Sequence, residues 1–88
     1  MRTIWKYEIK PQIEMPEGSE IIHVENQNGV PTLWALVCPN ALPVQRSFSI
    51  RGTGHPVDSI LHHLKSWQDG QFVWHLFEAQ PQSNKADE

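Results

Sequence analysis

The sequence predicts a mainly β domain of the α+β class, with an antiparallel sheet of five to six strands and one short helix in the order ββββαβ. Three observations predict this class. Apolar and polar residues alternate in several short segments, which is the period of a half-buried strand. Asn28-Gly29 and Asp69-Gly70 stand between β-rich segments, where such pairs favour tight hairpin turns. Apolar residues also recur at helical spacing after Pro56.

The first half of the chain contains the predicted strands that precede the helix. Residues 3–9 alternate in hydrophobicity and predict the first strand, and residues 12–15 form a further short extended segment. Residues 20–25 and 30–38 are predicted to pair as a hairpin around the Asn-Gly turn. Residues 45–51 alternate less regularly and predict the strand that leads into the helix.

The helix is predicted to begin at Pro56, because proline suits a first helical turn and Asp58 there complements the helix dipole. Four apolar residues follow the i, i+3, i+4, i+7 spacing of a helical stripe: Val57, Ile60, Leu61 and Leu64. Residues 66–68 are predicted to be extended, and residues 71–78 form the closing strand after the Asp-Gly turn.

The length and the net charge of the chain limit the number of domains and the kinds of partner that can be expected. The 88 residues predict one small domain over residues 1–78, and the polar residues 79–88 lack apolar periodicity and predict a disordered tail. A formal net charge of -3 lacks the basic footprint of a protein that binds nucleic acid through phosphates. Nucleic acid is therefore an improbable partner.

Two features predict residence in the cytoplasm. Cys38 is the single cysteine, so it cannot form an intramolecular disulfide, and charged residues interrupt the N-terminal stretch where a secretory signal needs an apolar core. No apolar run approaches the roughly 18–20 residues that span a bilayer, so no membrane association is expected.

Two predicted strands are apolar on both faces, at residues 33–38 and 72–77. One short helix can cover only one face of a sheet, so the other face requires closure into a barrel, a second copy of the chain, or a partner protein. Large aromatic side chains are favoured in interface cores. The predicted interface residues, in a homodimer or against a partner protein, are Trp5, Trp34, Trp74 and Phe77. The alternative is that the tryptophans simply fill the core.

The loop after the strand at residues 45–51 is the candidate ligand site. Backbone amides at a helix start can bind an anion, and a guanidinium, a hydroxyl and an imidazole stand beside them here. The predicted anion-binding or nucleotide-binding residues are Arg51, Gly52, Thr53, Gly54 and His55. The loop matches neither common nucleotide-binding glycine motif, so the alternative is a purely structural connection.

Catalytic and metal-binding interpretations are weaker. The five histidines and Cys38 show no recognised zinc spacing, so the sequence predicts no metal and no cofactor. Cys38 at the end of an apolar strand is expected to be an inert thiol. A small hydrolase using His55 and Asp58 remains an alternative, but no matched pair of titratable groups is visible and no catalytic residue is assigned.

Several stretches together are similar to a family of small uncharacterised proteins encoded by tailed phages and prophages. They are distributed over most of the span of residues 1–78 and are Thr3-Ile4-Trp5-Lys6-Tyr7, Ile13-Glu14-Met15-Pro16-Glu17-Gly18, Leu33-Trp34-Ala35-Leu36-Val37, Gly52-Thr53-Gly54-His55-Pro56 and Val73-Trp74-His75-Leu76-Phe77-Glu78. The resemblance implies a phage accessory protein in the cytoplasm of the bacterial host, and it implies no particular activity.

The sequence thus favours a protein that acts by binding. The leading hypothesis is that it inhibits a host defence or regulatory protein through an apolar sheet face. The first alternative is sequestration of a nucleotide or another anionic small molecule at the loop, and a small hydrolase or a structural component of the virion are further alternatives. An acidic stretch could steer a basic partner, and its residues are Glu14, Glu17, Glu20 and Glu25.

Overall fold

The structure is a computed structural model that describes residues 1–79. These residues form two antiparallel sheets packed as a sandwich. The strands are β1 (Thr3–Glu8), β2 (Gln12–Pro16), β3 (Glu20–Gln27), β4 (Val30–Val37), β5 (Pro43–Gly52), β6 (Leu61–Asp69) and β7 (Phe72–Ala79). The first sheet has three strands in the order β1-β4-β3, and the second has four in the order β2-β5-β7-β6.

The predicted fold class is wrong, because residues 1–79 contain seven strands in two sheets and no helix. The segment predicted as a helix from Pro56 is a loop followed by β6. The physical reason is a β-bulge in β6, where Leu64 is an extra residue between His63, opposite Phe77, and Lys65, opposite Leu76. The extra residue shifts the alternation by one, so Leu64 and Trp67 both face the core although they are three positions apart, as on a helix. The other apolar residues of the predicted stripe, Val57 and Ile60, are exposed in the loop before β6, at 44% and 60%.

Both predicted hairpins are present, and the turn of the second lies one residue later than predicted. The β3–β4 turn consists of Asn28 and Gly29, whose φ angles of 54° and 85° are those of a type I′ turn. In the β6–β7 hairpin Asp69 pairs with Phe72, and the loop between them begins at Gly70 with a φ of 63°. A positive φ at the first loop position is typical of a type II′ turn.

The core lies between the two sheets. Alternate residues of the central strand β4 point into it, and Leu33, Ala35 and Val37 are completely buried. The second sheet contributes the opposite wall, whose buried apolar residues are Ile13, Met15, Phe48, Trp67 and Leu76. A second sheet therefore covers the inner face of β4, and this closure replaces the helix that the sequence predicted.

Two polar contacts join strands that are distant in sequence. The Arg46 guanidinium donates to both carboxylate oxygens of Glu78, at 2.6 and 2.7 Å, and its Nη1 donates to the Ser19 carbonyl oxygen at 2.5 Å. At the other end of the sandwich, Asn26 Nδ2 donates to Asp69 Oδ2 at 2.8 Å, where β3 lies against β6. The predicted tail begins at residue 79, which ends β7, and residues 80–88 lie outside the described part of the chain.

Candidate functional site

The loop predicted as a ligand site leaves the end of β5 as a tight turn. The His55 amide donates to the Gly52 carbonyl oxygen at 3.0 Å, and Gly54 has a φ of 93°, as glycine does at the third position of a type II turn. The Gly52 amide in turn donates to His55 Nδ1 at 2.9 Å. The loop therefore folds on itself, as the sequence indicated.

The same bonds restrict what the loop can offer an anion. The amides of Gly52 and His55 already have partners, and no helix follows within residues 1–79 to add a dipole. The Arg51 guanidinium donates to the Pro56 carbonyl oxygen at 3.1 Å and to the Ser49 hydroxyl. Arg51 thus holds the loop against β5.

A chain of hydroxyl and imidazole groups crosses the outer face of the second sheet next to this loop. Ser66 Oγ lies 2.8 Å from His63 Nε2 and 2.7 Å from His75 Nδ1, and His75 Nε2 lies 3.0 Å from Thr53 Oγ1. We call these four side chains the hydroxyl–imidazole chain. The register brings them together, because Ser66 and Arg51 both pair with His75 from opposite sides of β7.

The contacts admit a consistent set of donors and acceptors along this chain. Thr53 Oγ1 also lies 3.3 Å from the Val73 carbonyl oxygen, which can only accept. With the Thr53 hydroxyl donating there, His75 Nε2 donates to Thr53 and His75 Nδ1 accepts from the Ser66 hydroxyl. His63 Nε2 donates to Ser66 Oγ. Every member of the hydroxyl–imidazole chain therefore has a consistent donor and acceptor role.

The Ser66–His75 contact has the geometry of a nucleophile and its base, but its surroundings favour recognition over catalysis. Ser66 and His63 are exposed, so water reaches both groups and weakens the electrostatic stabilisation on which acyl transfer depends. The predicted hydrolase pair gains no support, because the structure gives the His55 ring a backbone amide as its partner. Asp58 contributes only its backbone carbonyl to a turn with Leu61.

A cleft of about 420 Å³ lies beside the loop, on the other side from Arg51. Phe72, which is 58% exposed, and Trp74 form an aromatic wall with ring centroids 6.0 Å apart. Thr53 and His55 line the cleft from the loop side. An exposed aromatic wall beside polar side chains is suited to a planar ring that carries an anionic group.

The four predicted interface residues do not share one surface. Trp5 lies on the inner face of β1 but is 40% exposed, and Trp34 lies on the outer face of the same sheet. Trp74 packs against the core of the second sheet, and Phe77 lies on that sheet's outer face against the edge of the His63 ring. Any single interface can therefore use only some of them.

The outer face of the first sheet is a second candidate surface. Trp34 and Leu36 of β4 are half-buried there, and Ile4 of β1, directly opposite Leu36, is 54% exposed. We call Ile4, Trp34 and Leu36 the tryptophan face. The His23 ring packs 5.3 Å from Trp34 and bonds to Glu25 at 2.7 Å. Carboxylates from the neighbouring strands stand around it on the same face: Glu8, Glu20 and Glu25.

The sequence did not predict the hydroxyl–imidazole chain or the Arg46–Glu78 pair. The first had no usable local signal: a turn at Asp69-Gly70 would place Ser66 opposite Val73, and the loop at Gly70 and Gln71 places it opposite His75 instead. Within residues 1–79, no group of three or more histidine, cysteine or acidic side chains is placed to hold a metal ion. Cys38 is half-buried and is not in a disulfide.

The comparisons with known proteins identify a family without an assigned role. A family model described as a domain of unknown function (DUF7352) matches residues 1–87, and the chain belongs to this family. No curated protein matches the chain, and no solved structure does. Among residues 1–79 there is also no helix with the length and apolar character needed to cross a membrane.

Proposed function

We propose that the protein acts by binding another protein through the tryptophan face. The observation that carries this proposal is an apolar centre with a ring of charge. Leu36 and Trp34 lie on an outer sheet face that no other element of residues 1–79 covers, and three carboxylates stand around them. Apolar patches of this kind with polar rims are typical of protein interfaces.

The chemistry of this face defines the partner. An apolar centre requires an apolar patch on the partner, and the carboxylates of Glu8, Glu20 and Glu25 favour lysine or arginine around that patch. The net charge of -3 adds a long-range attraction to a basic surface. Binding should therefore weaken as salt concentration rises, mainly through slower association.

The resemblance to small phage and prophage proteins supports a setting for this interaction. In that setting the protein acts in the cytoplasm of the bacterial host, and the partner is a host defence or regulatory protein that is inhibited when its basic patch is covered. The family assignment adds no activity, so the proposal depends on the surface and on the resemblance.

The test uses the full chain as bait in a host lysate and compares two matched variants. Leu36→Lys places a charge in the tryptophan face, and Val73→Lys places the same charge on the outer face of the other sheet, at a residue that is 39% exposed. Circular dichroism verifies that both variants fold. We expect a partner that wild type and Val73→Lys retain and that Leu36→Lys loses. A partner that both variants bind equally, or no bound partner at physiological salt, would refute the proposal.

A second candidate function is binding of a nucleotide or a similar planar anion in the cleft beside the loop. The aromatic wall of Phe72 and Trp74 favours it, together with Thr53 and His55 on the loop side. Thermal-shift measurements with nucleoside mono-, di- and triphosphates test this function, because a ligand that binds only the folded state raises its apparent stability. Phe72→Ala should abolish the shift, and the absence of any shift at millimolar nucleotide would exclude this candidate.

A further inference from the structure

The four edge strands of the sandwich are protected to different degrees. Exposed edges invite pairing with other strands, and natural proteins protect them with bulges, prolines or short length. β3 carries a bulge at Ile22 and β6 carries one at Leu64, and these two strands lie against each other. β2 has only five residues and ends at Pro16. β1 has six residues, no proline and an unbroken register with β4.

The hydrogen-bond pattern shows which groups β1 presents at its open edge. The Ile9 amide donates to the Pro31 carbonyl oxygen at 2.9 Å, one step beyond the paired Glu8 and Thr32. Because hydrogen-bonded pairs alternate along an antiparallel ladder, the odd residues of β1 face β4. The backbone amides and carbonyls of Ile4, Lys6 and Glu8 therefore point away from the sheet.

The side chains of β1 are also unusual for an edge. Ile4 is 54% exposed on the outer face, and Trp5 is 40% exposed on the inner face. Lys6 and Glu8 flank the strand centre on the outer face, two residues apart and opposite in charge. An edge with apolar side chains on both faces and alternating charge is suited to another strand of matching pattern.

We propose that β1 pairs with β1 of a second copy of this chain, antiparallel and around a two-fold axis between the two Tyr7 residues. In this register Lys6 of each copy lies opposite Glu8 of the other, and both residues present their backbone groups at the open edge. Trp5 then lies opposite Ile9 of the second copy on the inner face. Two three-stranded sheets thereby become one continuous sheet.

The charges select this register over its neighbours. A two-fold axis at Lys6 would place two lysines opposite each other, which is unfavourable. An axis at Trp5 would place Lys6 opposite Ile4 and Glu8 opposite Arg2, a residue that precedes β1, so no charged pair would form within the strand. Only the axis at Tyr7 forms two complementary Lys6–Glu8 pairs. In the single chain the Lys6 ammonium donates to Gln27 of β3 at 3.0 Å, so it exchanges this contact for Glu8 of the second copy when the dimer forms.

The experiment is sedimentation of the full chain over a concentration series, with charge reversals. Lys6→Glu alone and Glu8→Lys alone each place like charges opposite each other twice per dimer, so we expect dissociation constants weaker by about tenfold or more. The double variant Lys6→Glu/Glu8→Lys restores both pairs and should dimerise like wild type. Lys65→Glu, the same reversal on the protected edge strand β6, should have no effect.

Amide hydrogen exchange supplies a readout that other dimers would not give. In a monomer the amides of Trp5 and Tyr7 are protected by β4, and those of Lys6 and Glu8 exchange freely. In the proposed dimer all four are protected, and dilution removes the protection only at Lys6 and Glu8.

A wild type that is monomeric at every concentration would overturn the inference, and so would a double variant that dimerises as weakly as the single variants. Failure of this inference is distinguishable from failure of the proposed function, because dimerisation is measured on the chain alone, without the partner that Leu36→Lys tests.

Discussion

The Arg46–Glu78 pair offers the sharpest test of the packing, because it joins β5, β7 and the turn before β3. Both side chains are largely buried, with 18% and 17% of their surface exposed, and the guanidinium bonds both carboxylate oxygens. Glu78→Gln keeps the shape of the side chain and removes its charge. The guanidinium then remains in a mostly desolvated site without a counter-charge.

The expected loss follows from this burial. Removing one partner of a fully buried ion pair costs about 3–5 kcal/mol of stability. Because both side chains of this pair keep some contact with solvent, we expect Glu78→Gln to lower the free energy of unfolding by about 2–3 kcal/mol. For a domain of this size that loss lowers Tm by about 10–20 °C. Replacing both residues, in Arg46→Met/Glu78→Met, removes both charges and should cost less than about 1 kcal/mol beyond the lost bond to Ser19.

The assay is urea and thermal unfolding of the two single variants Glu78→Gln and Arg46→Met and of the double variant Arg46→Met/Glu78→Met. Glu25→Gln is the control, because the His23–Glu25 contact is more than half exposed and its loss should change stability by less than about 0.5 kcal/mol. The reasoning fails if Glu78→Gln is as stable as wild type. It also fails if the double variant loses as much as the two single variants added together.

Three further predictions concern the loop, the first hairpin and the tyrosine. Gly52→Ala should lower the free energy of unfolding by about 1–3 kcal/mol in urea, since the new Cβ would lie 2.9 Å from His55 Cε1 and 3.1 Å from Trp74 Cζ3. An equal loss in a chain that already carries His55→Ala would contradict the contact with His55. Asn28→Val should cost about 1–2 kcal/mol because of the positive φ, whereas Asn28→Gly should be tolerated, and equal stabilities would refute a type I′ turn. Burial raises the pKa of the single tyrosine, Tyr7, so its absorbance titration should lie above the ordinary tyrosine range. The unfolded chain loses this proton first, so stability should fall as pH rises past the ordinary pKa, and Tyr7→Phe should remove that slope.

The hairpins could be predicted from the sequence because their signal is local. Asn28-Gly29 requires positive φ at two consecutive positions, and few other residue pairs accept that geometry at low cost. β6 could not be predicted in the same way. Its bulge at Leu64 depends on pairing with β7, and it places Leu64 and Trp67, three residues apart, on the same face of the strand. Periodicity alone cannot distinguish such a strand from a helix.

Only the part of the candidate site that is formed by consecutive residues could be predicted from the sequence. The turn from Gly52 to His55 follows from its glycines, and the structure contains it. The hydroxyl–imidazole chain depends on the register of β5, β7 and β6, which places Thr53, Ser66 and His75 within hydrogen-bond distance although they are up to 22 residues apart. Nothing in the local sequence of Thr53 indicates this contact.

The two binding surfaces inferred for the first sheet support each other physically. Ile4 belongs to the tryptophan face and also precedes Lys6 on the open edge of β1, so pairing of two β1 strands would bring two tryptophan faces onto one continuous sheet surface. A partner with two basic, apolar patches could then bind both tryptophan faces of the dimer at once. Its affinity would be higher because the second patch binds at a high effective concentration, without any additional type of contact. Lys6→Glu should therefore weaken binding of such a partner without touching Leu36, and the double variant Lys6→Glu/Glu8→Lys should restore it. A partner that has a single basic patch would bind the monomeric variant at least as tightly as wild type, because Lys6→Glu adds a carboxylate beside Trp34, and this result separates the contribution of the tryptophan face from that of the edge.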